Sequence, residues 1–449
     1  MTDQIKLINH SSIFIKSGNI KLLTDPWYNG SAFNNGWSLL YENKIDTINE
    51  ILTNLDYIFI SHEHPDHFSI NFFNDYEKII KLNNVKIIFQ TSHDKRVEKF
   101  LKKKNFEMII LEDKEKFKIN DKTFITIFKQ GHIDSAMLYE TEDFYHLNIN
   151  DCNFLKRELL EINNCIVNKK KEIIIYIQFS YASFRANDEW LKQAALYKLN
   201  NILKVNDIFN STLIVPFASF FNFSHSENQH LTKFVNSSSI VSNFLDYNNI
   251  NHCFLNPHMD LINLGKLVKK DSIKKKVNME SVKFWDNKKI NAKINFYETN
   301  PVPIEKENIK IFLSRIEKHN NLFLMRLIRF ISFKKIFGDL LIKINVTNEV
   351  YLLNFYKVYK LDNFTKTPDI SMSSEQFILL LKQPFGIESL LVSGRLKTID
   401  KNGLKKLTSA VGITTINLSN YGINFKDLFN KLIFNKIIGL IYRAITQKS

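Results

Sequence analysis

The segment at residues 62–67 reads His-Glu-His-Pro-Asp-His, and no other feature constrains the fold of this chain as strongly. Three imidazoles and a carboxylate this close together are unfavourable unless a metal organises them. Neutral imidazole and carboxylate are ligands for divalent metals such as zinc or iron. The apolar run at residues 55–61 predicts a buried strand, and Pro65 keeps the next segment from continuing as a helix. The motif therefore predicts a dinuclear metal site on a loop at the end of a strand.

The four side chains of the motif are expected to divide between two metal ions. His62 and His64 would bind one metal, while Asp66 and His67 face the second. Two metals need more ligands than these four residues supply, so later loops must provide the others.

The pattern His-x-His-x-Asp-His after a strand resembles the metal motif of the metallo-β-lactamase superfamily. Residues 9–12 and 22–27 are similar to the opening hairpin of one branch, which holds sugar-lactone hydrolases, N-acyl-phosphatidylethanolamine phospholipase D and CMP-N-acetylneuraminate hydroxylases. Within that branch, residues 30–37 and 58–69 look most like the hydroxylases. The resemblance implies an α/β fold, the αββα sandwich, and the alternation of strand-like and helical runs before residue 300 agrees with it.

The resemblance also implies the remaining ligands. A Gly-His pair at a strand end resembles the third histidine on the first metal, which is His132 here, and Asp151 resembles the aspartate that bridges both metals. The last ligand is predicted to be His225, with His230 and His258 as competing candidates. The full predicted set of metal ligands is His62, His64, Asp66, His67, His132, Asp151 and His225.

Asp66 and Asp151 are the predicted catalytic residues, because they would anchor the metals and position the attacking water. His10 and Asp25 lie in the opening hairpin and are expected to orient ligands without binding metal themselves. The histidines that have no supporting sequence context are His93, His146, His252 and His319.

A chain of 449 residues with 44% hydrophobic content predicts two domains. Prolines and charges near residues 298–305 indicate a linker, so we expect a catalytic domain at residues 1–300 and an accessory domain at residues 305–449. The second domain reads as two strands, at residues 337–344 and 350–355, and a helix at residues 374–381 for which Ser374 is the expected N-cap.

Residues 385–396 resemble the C-terminal region of the hydroxylases, and the order of elements resembles a small α+β domain of sterol-carrier type. We expect this domain to bind or dimerise and not to form a second catalytic centre. The stretch at residues 429–445 mixes apolar and basic residues, which fits contact with an anionic membrane or packing on a neighbouring domain.

Three cysteines cannot build a disulfide framework, no N-terminal secretory signal is recognisable, and charges interrupt every apolar segment that approaches the ~20 residues of a membrane span. A cytoplasmic location is therefore expected. The net charge of +15 agrees with an anionic partner, although the lysine-rich composition explains much of it. The basic residues are scattered, so no nucleic-acid module is predicted.

The leading functional hypothesis is a metal-dependent hydrolase with two divalent metal ions, zinc or iron, acting on an anionic sugar, nucleotide-sugar or phosphoester-like substrate. The alternative is a CMP-N-acetylneuraminate hydroxylase-like monooxygenase. The hydroxylases carry a Rieske iron–sulfur module with close Cys and His pairs, which this sequence lacks, so electrons would come from a separate electron-transfer protein. A non-enzymatic metal- or lipid-binding protein is the third possibility.

Overall fold

A computed structural model describes residues 3–92, 95–131, 133–182, 188–292, 301–362, 364–418 and 420–428. Before residue 293, two large sheets pack against each other, and the part after residue 300 has a sheet of its own. The stretch at residues 429–445, where contact with a membrane or packing on a neighbouring domain is predicted, lies outside the described residues.

The first large sheet joins antiparallel strands of the opening hairpin to parallel strands further along the chain. In spatial order its strands are Ile262–Asn263, Gln4–Asn9, Ser12–Ser17, Ile20–Thr24, Tyr57–Ile60, Lys86–Gln90 and Met108–Leu111. Side chains alternate between the faces of a strand. In Tyr57–Ile60, Phe59 accordingly packs toward the second sheet, whereas Ile58 and Ile60 pack among helices. The strand predicted at residues 55–61 thus lies inside the sheet, with the metal motif at its carboxyl end.

The second large sheet contributes the other half of the central core. In spatial order its strands are Leu213–Phe217, Glu172–Gln178, Phe144–Asn150, Asp134–Glu140, Thr123–Gln130 and Lys116–Asn120. Ile5 and Ile15 of the first sheet belong to the same buried cluster as Ile127 and Ile175 of the second. Burial of these apolar faces is the main favourable contribution to folding of this part.

Helices cover the outer faces of both sheets. The helices before residue 293 are Ile45–Leu52, Ile70–Asp75, Glu77–Leu82, Arg96–Lys103, Lys156–Asn164, Asp188–Phe209, Ser238–Tyr247, Leu264–Lys269 and Asp271–Ile290, with a 3-10 helix at Gln229–Phe234. Leu52 and Leu101 pack on the first sheet, and Leu159 and Val205 join the cluster of the second. The predicted αββα sandwich is therefore confirmed.

The C-terminal part is a smaller α/β region, as predicted. The strands of its sheet, in spatial order, are Lys357–Lys360, Val350–Asn354, Leu340–Ile344, Ile370–Met372 and Lys397–Thr398. Its helices are Lys306–His319, Leu322–Ile331, Ser374–Lys382, Gly386–Ser393, Gly403–Val411, Ile413–Leu418 and Phe425–Leu428. The likeness to a sterol-carrier domain and the division at residues 300–305 stay predictions.

One local prediction in this region was wrong. The N-cap of the helix Ser374–Lys382 is Ser373, and Ser374 is already its first residue. The Ser374 hydroxyl instead accepts a hydrogen bond of 2.8 Å from the backbone N–H of Val302. The hydroxyl therefore ties the start of the C-terminal region to the helix and does not cap it.

The C-terminal region shares a hydrophobic core with one edge of the sandwich. A small sheet there consists of Phe221–Phe223, Trp37–Leu39 and Ser31–Ala32. Trp37 belongs to the same buried cluster as Leu381, and its indole N–H donates to the Val392 carbonyl at 3.2 Å. At Gly36 the two parts approach so closely that a Cβ atom would lie 2.7 Å from Cβ of Ser393.

None of the helices within the described ranges has the length and apolar character needed to cross a bilayer.

Candidate metal centre

The metal motif forms a turn between the strand Tyr57–Ile60 and the helix Ile70–Asp75. The backbone N–H groups of His67 and Phe68 both donate to the carbonyl of His64, at 3.0 and 2.7 Å. Ser69 then caps the helix by accepting from the N–H of Phe72. These bonds fold the loop tightly enough to turn the side chains of the motif toward one another.

The first cluster of potential ligands surrounds His62. Its Nε2 atom lies 2.8 Å from Nδ1 of His64, 3.7 Å from Oδ2 of Asp151 and 3.9 Å from Oδ1 of Asp134. Asp151 follows the strand Phe144–Asn150, as predicted, and its Oδ2 is also 3.9 Å from Nε2 of His67. Two overlapping groups result, His62 with His64 and Asp134, and His62 with His67 and Asp151.

The second cluster consists of His10, Asp66 and His67. Oδ2 of Asp66 lies 3.4 Å from Nε2 of His10 and 3.3 Å from Nε2 of His67. All three side chains are buried. This cluster shares His67 with the first, so the two potential metal positions are adjacent.

Several buried polar atoms of these clusters form no hydrogen bond within the described chain. They are Nδ1 and Nε2 of His10, Nε2 of His67, Oδ1 of Asp66 and Oδ1 of Asp151. A buried polar atom without a partner costs roughly 1–3 kcal/mol, and five in one place call for a common partner. Imidazole nitrogens and carboxylate oxygens are the donor set of zinc and of non-haem iron, so the residues fit a metal centre.

Asp25 lies behind this centre and orients it. Its Oδ2 atom accepts from Nδ2 of Asn150 at 2.8 Å and lies 3.1 Å from Nδ1 of His67. The hydroxyl and backbone N–H of Ser61 also donate to the Asp25 carboxylate, at 2.8 and 2.7 Å. Contacts of this kind fix the orientation of a ligand histidine and leave its other ring nitrogen for the metal. The role predicted for Asp25 thus agrees with its geometry.

Two residues beside the clusters have backbone angles that are unusual for side chains of their kind. His10 and Asp25 have φ values of 27° and 34°. Such conformations cost free energy and persist where the surroundings hold them, often at functional sites.

Burial and mutual charge set the protonation of the centre. Burial lowers the pKa values of His62 and His64, which favours the neutral imidazole that binds metal. Burial alone would raise the pKa of Asp151, but the charges of His62 and His67 bring it to about 2. Burial and the charge of Asp151 raise the pKa of Asp134 to about 6. Asp134 is therefore the carboxyl of the centre that exchanges a proton nearest neutral pH.

In the second cluster, the pKa of the carboxyl is lowered and the pKa of one histidine is raised. Burial would raise the pKa of Asp66, yet the charge of His67 and the close approach of the His10 and His67 rings hold that pKa well below its usual range. Burial would lower the pKa of His67, but the charges of Asp66, Asp151 and Asp25 raise it well above its usual range. A bound dication would take over the role of this proton, since it supplies the same positive charge.

The structure brings together five of the seven predicted ligands: His62, His64, Asp66, His67 and Asp151. His132 lies outside the described residues. His225 is in none of the clusters; its Nδ1 accepts from the backbone N–H of Glu227 at 3.1 Å and lies 3.6 Å from the carboxylate of that residue.

The competing candidates for the last ligand are also elsewhere. His230 and His258 belong to none of the clusters, and the ring of His258 contacts Tyr41 and Phe284 at 5.3 and 4.9 Å between centroids. His10, which was expected only to orient ligands, is the histidine that reaches Asp66. The structure therefore favours His10 over His225 as a ligand.

Sequence reasoning also missed Asp134. This residue begins the strand Asp134–Glu140 and pairs with Gln130 across a hairpin, which places it at the same sheet end as Asp151. Asp134 follows the Gly-His pair by two positions, but its approach to His62 depends on the pairing of the second sheet, which the sequence spacing does not reveal.

A cleft of about 1200 Å³ opens onto the centre. His64, Asp66, Asp134 and Asp151 line its floor. The helix Asp188–Phe209 forms one side, and residues of the C-terminal region form another. This cleft gives a small molecule access to the candidate metal positions.

Residues 4–154 match the family model described as Beta-lactamase superfamily domain. The match spans the opening hairpin, the metal motif, Asp134 and Asp151. The match covers about a third of the chain and, together with the two packed sheets, agrees with the metallo-β-lactamase fold that the motif predicted. Proteins of this superfamily are generally metal-dependent enzymes with dinuclear centres.

Cytidine monophosphate-N-acetylneuraminic acid hydroxylases are similar to this chain over a short segment. The protein of Asterias rubens is 44% identical over 64 residues, which cover 14% of this chain and 10% of that protein. The protein of Xenopus laevis is 42% identical over 66 residues, which cover 15% of this chain and 11% of that protein. The matched segment thus spans about a tenth of the length of these relatives.

Solved structures are similar to this chain at low identity. Igni18, a metallo hydrolase from Ignicoccus hospitalis, covers 58% of this chain and is itself covered to 98%, with 13% identity and a TM-score of 0.41. CmlA, a diiron β-hydroxylase from Streptomyces venezuelae, covers 58% of this chain and is covered to 54%, with 11% identity and a TM-score of 0.42. Neither similarity is close enough to assign a reaction.

Proposed function

We propose that this chain, which carries a metallo-β-lactamase fold, is a metal-dependent enzyme that acts on an anionic small molecule in the cleft. The observation that supports this proposal most is the group of buried histidine and aspartate atoms without hydrogen bonds, of which those of Asp66 and Asp151 belong to residues that line an open cleft. Structural metal sites have all positions filled by protein and are closed, whereas a site that opens onto a cleft leaves room for substrate.

In this proposal, His62, His64, Asp134 and Asp151 hold one metal, and His10, Asp66, His67 and Asp151 hold the other, with His132 as a further candidate for the first. When bound, two divalent metals supply Lewis acidity and lower the pKa of water toward ~7.

The protein residues have roles of their own. Asp25 fixes the ring of His67 through the 3.1 Å contact with its Nδ1 atom. Asp66 and Asp151 anchor the centre, as expected for the predicted catalytic aspartates. Asp134, whose pKa burial and the charge of Asp151 raise to about 6 in the metal-free chain, lines the floor of the cleft and would bind a metal as the deprotonated carboxylate.

Hydrolysis is the leading reaction, on an anionic sugar, nucleotide-sugar or phosphoester-like substrate. It needs only water as co-substrate, and it is a reaction that the centre described above can support without an electron donor.

A second reaction is favoured by a separate observation, the 42–44% identity with hydroxylases over 64 to 66 residues. Hydroxylation of a CMP-N-acetylneuraminate-like substrate would use iron, dioxygen and electrons from a separate Rieske-type protein. The reaction would replace a C–H bond with a C–OH bond and reduce the second oxygen atom to water, with two electrons and two protons supplied through the donor.

One experiment separates these reactions. The full chain is loaded with Zn²⁺ or with Fe²⁺ and incubated with CMP-N-acetylneuraminate and with phosphodiester and lactone substrates, in labelled water or under labelled dioxygen with a Rieske ferredoxin and its reductase. Oxygen from water in a cleavage product supports hydrolysis. Oxygen from dioxygen in an uncleaved product supports hydroxylation.

His64→Ala and Asp151→Ala are the matched controls, because both residues belong to the centre. Loss of the product in both variants assigns it to this site. Stable metal binding with no turnover of any of these substrates would instead favour the third possibility, a metal- or lipid-binding protein without catalytic activity.

A further inference from the structure

The two parts of the molecule line the cleft with different charges. The sandwich contributes the carboxylates of Asp66, Asp134 and Asp151 at the floor. The C-terminal region contributes Val392, Thr398, Lys401, Asn402, Leu404 and Lys405. Among the described residues that line the cleft, this C-terminal side thus has two lysines and no carboxylate.

A third lysine comes from the long helix of the sandwich. Lys198 lines the cleft and is only 9% exposed. Its ammonium donates to the neutral amide oxygen of Asn153 at 3.0 Å, and it forms no ion pair within the described part of the chain. Burial lowers the pKa of Lys198, although the charge of Asp151 opposes this effect. A buried cation with a neutral partner is costly unless an anion completes its environment.

Metal binding would change the surroundings of Lys198. In the metal-free chain the charges of Asp151 and Asp134 partly compensate its ammonium. Bound dications would take up the charge of these carboxylates. A substrate anion could then compensate Lys198 in their place.

The C-terminal lysines sit on a backbone that is fixed in place. Asp400, next to Lys401, accepts from the N–H of Asn402 at 2.7 Å and from Nζ of Lys406 at 3.1 Å. The N–H of Asp400 donates to the carbonyl of Asp369 at 3.0 Å. Lys406 forms ion pairs with both Asp369 and Asp400, and these contacts hold the turn that presents Lys401 to the cleft in a preorganised position.

We propose that Lys198, Lys401 and Lys405 form an anion-binding wall that holds a phosphate or carboxylate of the substrate while its reacting end faces the metal centre. The inference rests on the proposed function, since it concerns the same cleft. It gives the C-terminal region a specific role, which is to bind the anionic group of the substrate together with Lys198. A cleft of about 1200 Å³ is large enough for a ligand that spans both sides.

The shape of the remaining wall agrees with an extended ligand. Trp190 and Tyr197 come from the same helix as Lys198 and line the cleft beside it. Aromatic faces next to cations suit a ligand that combines an anionic group with an apolar or planar one.

Binding to the metal-loaded full chain tests the proposal. The variants are Lys198→Met, which keeps most of the apolar volume, and the double variant Lys401→Ala/Lys405→Ala. The control is Lys275→Ala/Lys276→Ala, which removes two exposed lysines from the helix Asp271–Ile290, away from the cleft. Calorimetry measures the affinity for CMP, for inorganic phosphate and for N-acetylneuraminate, with cytidine as the uncharged comparison. Metal content and thermal unfolding are recorded for each protein.

We expect the affinity of both cleft variants for at least one anion to fall at least about tenfold below that of the wild type, a loss of ~1.4 kcal/mol in binding free energy. The control should keep the wild-type affinity. Weaker binding of CMP and phosphate alone identifies a phosphate as the bound group, and weaker binding of N-acetylneuraminate alone identifies a carboxylate. The inference would be wrong if the folded, metal-loaded variants kept the wild-type affinities, or if the metal-loaded wild type bound no anion. Neither result would contradict the proposed metal centre. Absence of metal from the wild type would instead contradict the proposed function.

Discussion

Nε2 of His10 lies 3.4 Å from Oδ2 of Asp66, and both residues are buried. The same carboxylate oxygen is 3.3 Å from Nε2 of His67. His225, which the resemblance to the hydroxylases predicts as the last ligand, contacts Glu227 instead. His10 thus comes from the opening hairpin to complete a cluster whose other members belong to the motif loop.

The first prediction follows from this contact. Replacement His10→Ala removes one ligand of the second metal position, so metal content should fall from about two ions to about one per chain. Replacement His225→Ala should leave both ions bound. Elemental analysis of the purified proteins after dialysis measures the difference. If the His225 variant lost a metal while the His10 variant kept both, the assignment would be reversed.

A second prediction concerns Asp25, which contacts the ring nitrogen of His67 opposite the cluster. Replacement Asp25→Asn should weaken metal affinity by about 10–100-fold, because the ligand ring loses its charged orienting partner. Competition with a chromophoric chelator measures this affinity. Asp75→Asn is the control, since the carboxylate of Asp75 accepts a hydrogen bond from Asn29 at an exposed position. Equal affinities in the two variants would mean that Asp25 has only a structural role.

A third prediction concerns the contact between the two parts of the molecule. The guanidinium of Arg395 is fully buried, donates to Oε2 of Glu227 at 2.8 Å and donates to the carbonyl of Asn34 at 2.7 Å. Breaking a buried pair leaves an uncompensated charge and costs about 3–5 kcal/mol. Arg395→Ala should lower the free energy of unfolding in urea by about that amount. The exposed control Arg157→Ala should change it by no more than about 0.5 kcal/mol. Equal effects of the two replacements would mean that the buried contacts of Arg395 do not stabilise the protein.

A fourth prediction uses a buried network away from the cleft. Oδ2 of Asp3 lies 2.9 Å from Nε2 of His146 and accepts from the Thr141 hydroxyl at 2.7 Å. Burial works to raise the pKa of Asp3, but the hydrogen bond and charge of His146 outweigh it, and the pKa lies below its ordinary value of 3.8. A lowered folded-state pKa contributes stability above the ordinary value, and that stability is lost as pH falls through the folded-state value.

Asp3→Asn should therefore destabilise the protein most at neutral pH. The gap in unfolding free energy between wild type and variant should narrow as pH falls below about 4. Urea unfolding of both proteins across this range measures the gap, and comparison with the variant cancels the titration of other carboxylates. A gap that stayed constant with pH would mean that the Asp3 charge contributes nothing. His146, which had no supporting context in the sequence, is thus part of a core network.

The fold and the motif loop could be predicted because their signals are local. The apolar run before residue 62 has the composition of a buried strand, and the four ligands of the motif lie within six positions. The strands predicted at residues 337–344 and 350–355 correspond to Leu340–Ile344 and Val350–Asn354, with ends that differ by up to three residues. The hydrophobic pattern predicts the position of an element more precisely than it predicts the residues at which the element begins and ends.

The rest of the site could not be predicted because it depends on distances across the fold. His10 reaches Asp66 only because the opening hairpin packs beside the strand that carries the motif. Asp134 reaches His62 only through the pairing of the second sheet. The Ser-His pair at residues 224–225 predicts a ligand, but Nδ1 of His225 accepts from the backbone N–H of Glu227, whose carboxylate pairs with Arg395 of the C-terminal region. Sequence spacing carries no information about contacts between residues that are far apart in the chain.

The central claim is that the clustered histidines and aspartates hold two metals, and metal content tests it most directly. The full chain is purified without added metal, loaded separately with Zn²⁺ and Fe²⁺, dialysed and analysed beside His64→Ala and Asp151→Ala. We predict about two tightly bound ions per wild-type chain and a loss in both variants, with His230→Ala, outside the clusters, retaining them. A wild-type protein that binds neither metal, or variants that keep the full content, would contradict the account.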